Sequence, residues 1–145
     1  MTTKHFRAQL KRLLKKHPTL CPRGFSDVSP EGSLLDDPYP AQVDAAITYI
    51  RDNWHRIKNV RKKGSTSYSY KHVAERWLAE RRIYGEGICN GALIAAALLL
   101  GYKVERESPC SPNAYFNIGR RSVPKLKAPL PVRAFRAQAI SPRTR

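Results

Sequence analysis

The chain has 145 residues, 41% of them hydrophobic, and 27 Lys and Arg against 11 Asp and Glu, for a formal net charge of +16. That length suits one modest core, and the longest apolar run, Ala92 to Leu100, is too short to span a bilayer, so no membrane span is expected. Three cysteines at irregular spacing, Cys21, Cys89 and Cys110, point to reduced thiols in a cytoplasm rather than a disulfide framework.

The charge is unevenly placed. Residues 1–25 carry seven Lys and Arg and no acid, residues 108–145 carry eight and no acid, and the 82 residues between hold twelve bases and eleven acids. A nearly charge-balanced body with two acid-free ends is the pattern of a globular core that presents cations to a polyanion. DNA or RNA is the expected partner.

In chain order, Phe6, Leu10, Leu13 and Leu14 recur on one helical face among Lys4, Arg7, Lys11, Arg12, Lys15 and Lys16, which predicts a basic amphipathic helix over 1–18, stopped by Pro18. Its stripe would dock on the core and its cations would meet phosphates. A membrane-surface helix or a targeting presequence fits less well, because the stripe covers only about three turns and Lys outnumbers Ser. Residues 1–17 also lack the apolar stretch of a secretory signal. Residues 19–40 are dense in Pro, Gly, Ser and acid (Asp27, Glu31, Asp36, Asp37), the composition of a surface linker with turns, little regular structure and solvated carboxylates.

Residues 41–121 read as a compact core. A helix over about 41–58 presents Val43, Ile47, Ile50, Trp54 and Ile57, and its last turn becomes basic at His55, Arg56 and Lys58. The run Arg61-Lys62-Lys63-Gly64-Ser65 follows, a flexible loop beside three cations that suits phosphate contact. A third helix, capped by Ser67 or Ser69 and ending near Arg82, buries Tyr70, Val73, Ala74, Trp77 and Leu78. A fourth, with Asn90 as N-cap and Gly101 as stop, is apolar all round and belongs in the interior. Alternation in Tyr102–Glu107 and Asn113–Ile118 predicts a β-hairpin. Residues 122–145 form a Pro-punctuated basic tail, expected to be extended.

The fold class is mainly α with one β-hairpin, an α+β domain. Its element order over Ala41 to Arg121 resembles winged helix-turn-helix domains, with Asn90 to Gly101 in the recognition position and Tyr102 to Ile118 as the wing. The resemblance implies a DNA-binding core, yet the apolar recognition-position helix offers no side chain to base edges, so phosphate contact without sequence readout is the expectation. The strings around Tyr70–Glu75, Asn90–Ala97 and Asn113–Ile118 also resemble small uncharacterised basic proteins of bacterial phages and mobile elements, which implies a bacterial or phage-infected cell and no particular activity.

The residues expected to bind nucleic acid are Lys11, Arg12, Lys15 and Lys16; Arg61, Lys62 and Lys63; Lys103 and Arg106; and Arg120 and Arg121. Tyr68 and Tyr115 are candidates to stack on unpaired bases. No metal or cofactor is expected: His17, Cys21, Cys89 and Cys110 lack a zinc-ligand spacing. Nor is catalysis, because His72 and Glu75 form a helix-surface pair with no nucleophile in a recognisable turn. Two other roles fit a basic chain of this kind: a structural subunit of a ribonucleoprotein or phage particle, and an inhibitor of a host protein such as an immune-system nuclease complex.

Overall fold

The computed structural model describes residues 3–28 and 32–122. They run through α1 (Lys4–Lys16), β1 (Leu20–Cys21), β2 (Gly24–Phe25), α2 (Tyr39–Asn53), α3 (Ser67–Glu80), α4 (Asn90–Leu99), β3 (Val104–Arg106), β4 (Ala114–Phe116) and a single 3-10 turn at Arg120–Ser122. The architecture is therefore mixed α+β, with two small antiparallel hairpins, β1–β2 and β3–β4, among the described residues.

Helix α4 organises the rest. It has no polar face, so burial on every side is its lowest free-energy placement, and Ala92 through Ala97 are fully buried. Helices α1, α2 and α3 and both hairpins all touch it. Gly101, at a φ of +83° that favours glycine, ends the helix. There the Tyr102 amide donates to Ala97 O at 3.0 Å and the Gly101 amide to Leu98 O at 3.0 Å, which satisfies the last carbonyls. At the other end the cap is Cys89, whose Sγ accepts from the Ala92 amide at 3.3 Å, and not Asn90 as the sequence suggested. Asn90 is instead a clamp: its Nδ2 lies 3.0 Å from Arg23 O, 3.3 Å from Pro112 O and 3.0 Å from Asn113 Oδ1.

This first turn also decides the fate of the supposed linker. Leu20, Cys21, Leu34 and Pro40 are buried, and β1 pairs with β2 in the register Leu20 with Phe25 and Cys21 with Gly24. Little regular structure was expected there because turn-forming residues dominate. The gain from packing those few apolar side chains and from the bond of the Gly91 amide to Pro22 O, 2.9 Å, outweighs local preference. Backbones approach so closely that a Cβ on Gly91 would stand 1.9 Å from Cys21 O, and one on Gly24 2.2 Å from Pro112 O.

Helix α1 matches its sequence reading. Thr3 caps it by accepting the Phe6 amide at 3.1 Å, Leu10 is fully buried, and Phe6, Leu13 and Leu14 lean on the core. Helix α2 ends at Asn53, short of the expected Lys58, because Trp54 turns extended and drops its indole into the core. The Trp54 ring sits 4.9 Å from Phe116, 5.4 Å from Tyr102 and 5.7 Å from Tyr70, centroid to centroid, in tilted and edge-on contacts that each contribute about 0.5–1.5 kcal/mol beyond burial. Ile57, placed in the helical stripe by spacing, is consequently exposed. Thr66 holds the N-cap position of α3 without a side-chain bond, its carbonyl accepting the Tyr70 amide at 3.2 Å; Ser67, one of the two expected caps, is buried and its Oγ accepts the Ala114 amide at 3.0 Å.

The winged-helix arrangement is not established. The helix in the recognition position is interior and cannot enter a groove, and the first hairpin has no place in that order. The basic tail expected over 122–145 lies outside the described residues, except that Ser122 is buried.

Two stability predictions arise from this packing. Alanine is about 1 kcal/mol better than glycine in a helix interior, but a methyl pressed against a fixed carbonyl costs more. Gly91→Ala is therefore expected to lose roughly 2 kcal/mol or more by urea denaturation; a rise in stability would show that the hairpin is not seated on α4. Burial pushes the Tyr49 phenol up from 10.0 to about 12, so the folded chain keeps this proton where the unfolded chain has released it. The stability contribution is full below pH 10 and falls as pH rises toward 12. In denaturant titrations on either side of pH 10, Tyr49→Phe should flatten that decline.

Candidate nucleic-acid interface

The basic clusters around residues 61–63 and 120–121 are nearly sixty positions apart in sequence, and the fold joins them along one sheet edge. After Trp54 the chain runs beside β4: Ile57 N–H donates to Asn117 O at 2.9 Å, Arg61 N–H to Phe116 O at 3.0 Å, and Gly119 N–H to His55 O at 2.9 Å. A bridge between Arg56 and Ile118 completes the pairing. Asn117, 2% exposed, is the pin. Its Oδ1 accepts the Lys103 amide at 2.7 Å and its Nδ2 donates to Ile57 O at 2.9 Å, tying the hairpin to residues 55–58. Strand alternation would have turned Asn117 to solvent; the third segment that covers it is what alternation could not show. Ser122 closes the far end, its Oγ accepting the His55 amide at 2.6 Å.

Segments 55–63, 102–105 and 116–122 thus bring together eight Lys and Arg with one carboxylate, Glu105. The side chains are not equally available. Lys62 pairs with Glu105 at 2.8 Å across two half-exposed groups, a contact that contributes little and yields readily to a competing anion. The Lys103 ammonium donates to Lys58 O at 2.9 Å, Arg61 is half-buried, and Arg56 donates to Leu100 O at 2.7 Å while stacking 4.4 Å over Tyr102. Lys58, Lys63, Arg120 and Arg121 are exposed and have no side-chain partner among the described residues. Sequence reading assigned Arg56 and Lys58 to the end of a helix, where they would merely offset its dipole. The early end of α2 carries them to this edge.

Helix α1 supplies a second basic surface. Lys11, Arg12, Lys15 and Lys16 are exposed on the side opposite Leu10. Partial burial and then the neighbouring Lys16 charge hold His17 below its ordinary value. Arg7 is committed elsewhere, donating to Leu35 O at 2.8 Å and standing 3.6 Å from Asp37.

One expectation is qualified and another needs correction. Of the acids of residues 19–40, read as solvated, Asp36 and Asp37 remain exposed, although Asp37 stands 3.6 Å from Arg7 and Asp36 Oδ2 accepts the Ser33 amide at 3.1 Å, while Asp27 pairs with Arg106 at 2.7 Å. Arg106, expected at the interface, is consequently structural: it is forked onto both Asp27 oxygens, donates to Ser111 O, and lies 5.9 Å over Phe25.

The Glu75 carboxylate and the Cys89 thiol make structural contacts. Glu75 Oε1 accepts from Lys71 at 3.3 Å and faces His72 Nδ1 at 3.1 Å, and its Oε2 accepts the Ile88 amide at 3.0 Å, so this carboxylate fixes the loop before α4. Burial pushes the Cys89 thiol up to about 11, which leaves no thiolate at neutral pH. Among the described residues no three His, Cys, Asp or Glu side chains converge on a common metal position.

Arg106→Ala is expected to destabilise the fold by about 1 kcal/mol, discounted for the exposure of Asp27, and to leave polyanion affinity nearly unchanged. Arg121→Ala should do the reverse. A heparin-column elution shift as large for Arg106→Ala as for Arg121→Ala would return Arg106 to the interface. No protein-family model, curated protein or solved structure matches this chain, so the reading of its surface rests on the chemistry of that surface alone.

Proposed function

We propose that this chain binds nucleic acid through the phosphate backbone, with little base-edge readout and no chemical step. The observation that carries the reading is the pairing of residues 55–61 with β4, which makes one cationic edge from sequence-distant clusters. Lys63, Arg120 and Arg121 would make the first contacts there, Lys62 would exchange Glu105 for a phosphate, and Lys103 would support them from β3. The exposed cations of α1 would add a second, independent contact.

Burial of α4 supports backbone contact over base recognition, because the element that a winged-helix protein would insert into the major groove has no free face. If the core is read as winged-helix-like, only the β3–β4 wing and the edge beside it face the ligand. Free cysteines, with Cys110 exposed, fit a reducing compartment such as a bacterial cytoplasm.

Salt dependence tests the reading. The observed binding constant should fall linearly on logarithmic axes, and removing a cation that meets a phosphate should lower the slope by about 0.7–0.9 per contact. Fluorescence anisotropy with the full chain and its Lys63→Ala, Arg120→Ala and Arg121→Ala variants measures this. An affinity that does not change between low and physiological salt overturns the proposal.

A further inference from the structure

Apart from the basic edge, the surface carries an open depression of about 620 Å3, within the roughly 300–1,000 Å3 usual for ligand clefts. Five elements meet around it. Arg23 comes from the turn between β1 and β2, Tyr39 opens α2, Tyr68 lies in the first turn of α3, Asn90 opens α4, and Asn113 immediately precedes β4. Asn90 ties three of these segments together, its Nδ2 donating to Arg23 O, Pro112 O and Asn113 Oδ1.

The unsatisfied chemistry of this depression is specific. Tyr68 is 53% exposed, an aromatic ring in open solvent whose packing needs do not account for its position. Its ring meets the His72 edge at 4.7 Å and has the Lys71 ammonium 5.7 Å from its centroid, both of which orient it. Arg23 is exposed and has no side-chain partner among the described residues. Asn90, 6% exposed, belongs to the clamp beneath the depression, and its Oδ1, which has no hydrogen-bond partner among the described residues, is itself covered. A stacking ring and a cation on one open depression are what a single nucleotide needs first: a flat face for its base and a charge for its phosphate.

We infer that this depression takes one unpaired nucleotide, its base stacked on Tyr68 and its phosphate on Arg23, so that the favoured ligand is a single strand. The inference deepens the proposed function and rests on it. Position supports it. The depression lies at the Asn113 end of β4 and the basic edge at the Phe116–Gly119 end, while Lys63 and Tyr68 are separated by at most about 18 Å of chain. A strand whose phosphates follow the edge reaches the depression within a few nucleotides. Duplex cannot use it, because its bases are already stacked and paired.

The test is fluorescence anisotropy of the full chain with short oligothymidylate, short oligouridylate and a DNA duplex of equal length, for the parent, Tyr68→Ala and Tyr68→Phe. Tyr68 is exposed, so neither variant threatens the fold. Tyr68→Ala is expected to weaken single-strand binding about fivefold or more, with duplex affinity and the salt slope unchanged. Tyr68→Phe should keep the parent affinity. If all probes bind but Tyr68→Ala equals the parent on every one, or weakens duplex as much as single strand, the inference falls and phosphate binding stands. If no probe binds even at low salt, the proposed function itself fails and takes this site with it.

Discussion

The whole arrangement depends on how closely the backbone of Cys21 and Pro22 approaches the first turn of α4. Gly91 permits that approach, and no residue with a side chain could. Because α4 starts there, its opening amides are met by Pro22 O and by Cys89 Sγ, and the Cys89 amide is met by the Gln42 side chain. A buried helix end without such partners would leave several donors unsatisfied at about 1–3 kcal/mol each. Three sequence-distant segments, the first hairpin, α2 and the turn before β4, are thereby fixed to one point, and the depression lined by Tyr68 and Arg23 is the outer face of that junction.

A second constraint acts at the opposite end of β4. Asn117 and Ser122 are polar groups buried in a sheet edge, and both are satisfied by the backbone of residues 55–58. They align that segment with β4 by hydrogen bonds that an apolar pair could not supply, and an irregular run of chain becomes a third strand-like element. The cations of residues 58–63 inherit their positions from it. Charge clustering here is a product of backbone pairing, since nothing in the electrostatics favours crowding like charges without a counter-ion.

Much of this was legible in the sequence, for physical reasons that are easily named. Helices α1 and α3 show their burial pattern at helical spacing, α4 shows its burial by being apolar on every face, the Gly101 stop is a matter of backbone sterics, and the β3–β4 alternation is period two. The failures share a cause. Ile57 fits the helical stripe, but the aromatic contacts of Trp54 with Phe116 and Tyr102 compete with the last helical turn and win. Turn-rich residues 19–40 hide a docked hairpin, because Leu20, Cys21 and Leu34 are too few to make a pattern. Of the candidate site residues, Arg106 looked the same as Arg120 in sequence. Only its pairing with Asp27, seventy-nine positions away, separates a structural guanidinium from an available one.

Ser122 sets where the remainder of the chain begins. Its hydroxyl is fastened to the His55 backbone, accepting the His55 amide at 2.6 Å and donating to His55 O at 3.2 Å, so the last described residue is held at the margin of the cationic edge. One serine hydroxyl thereby decides at which side of the molecule the described chain departs from its folded body.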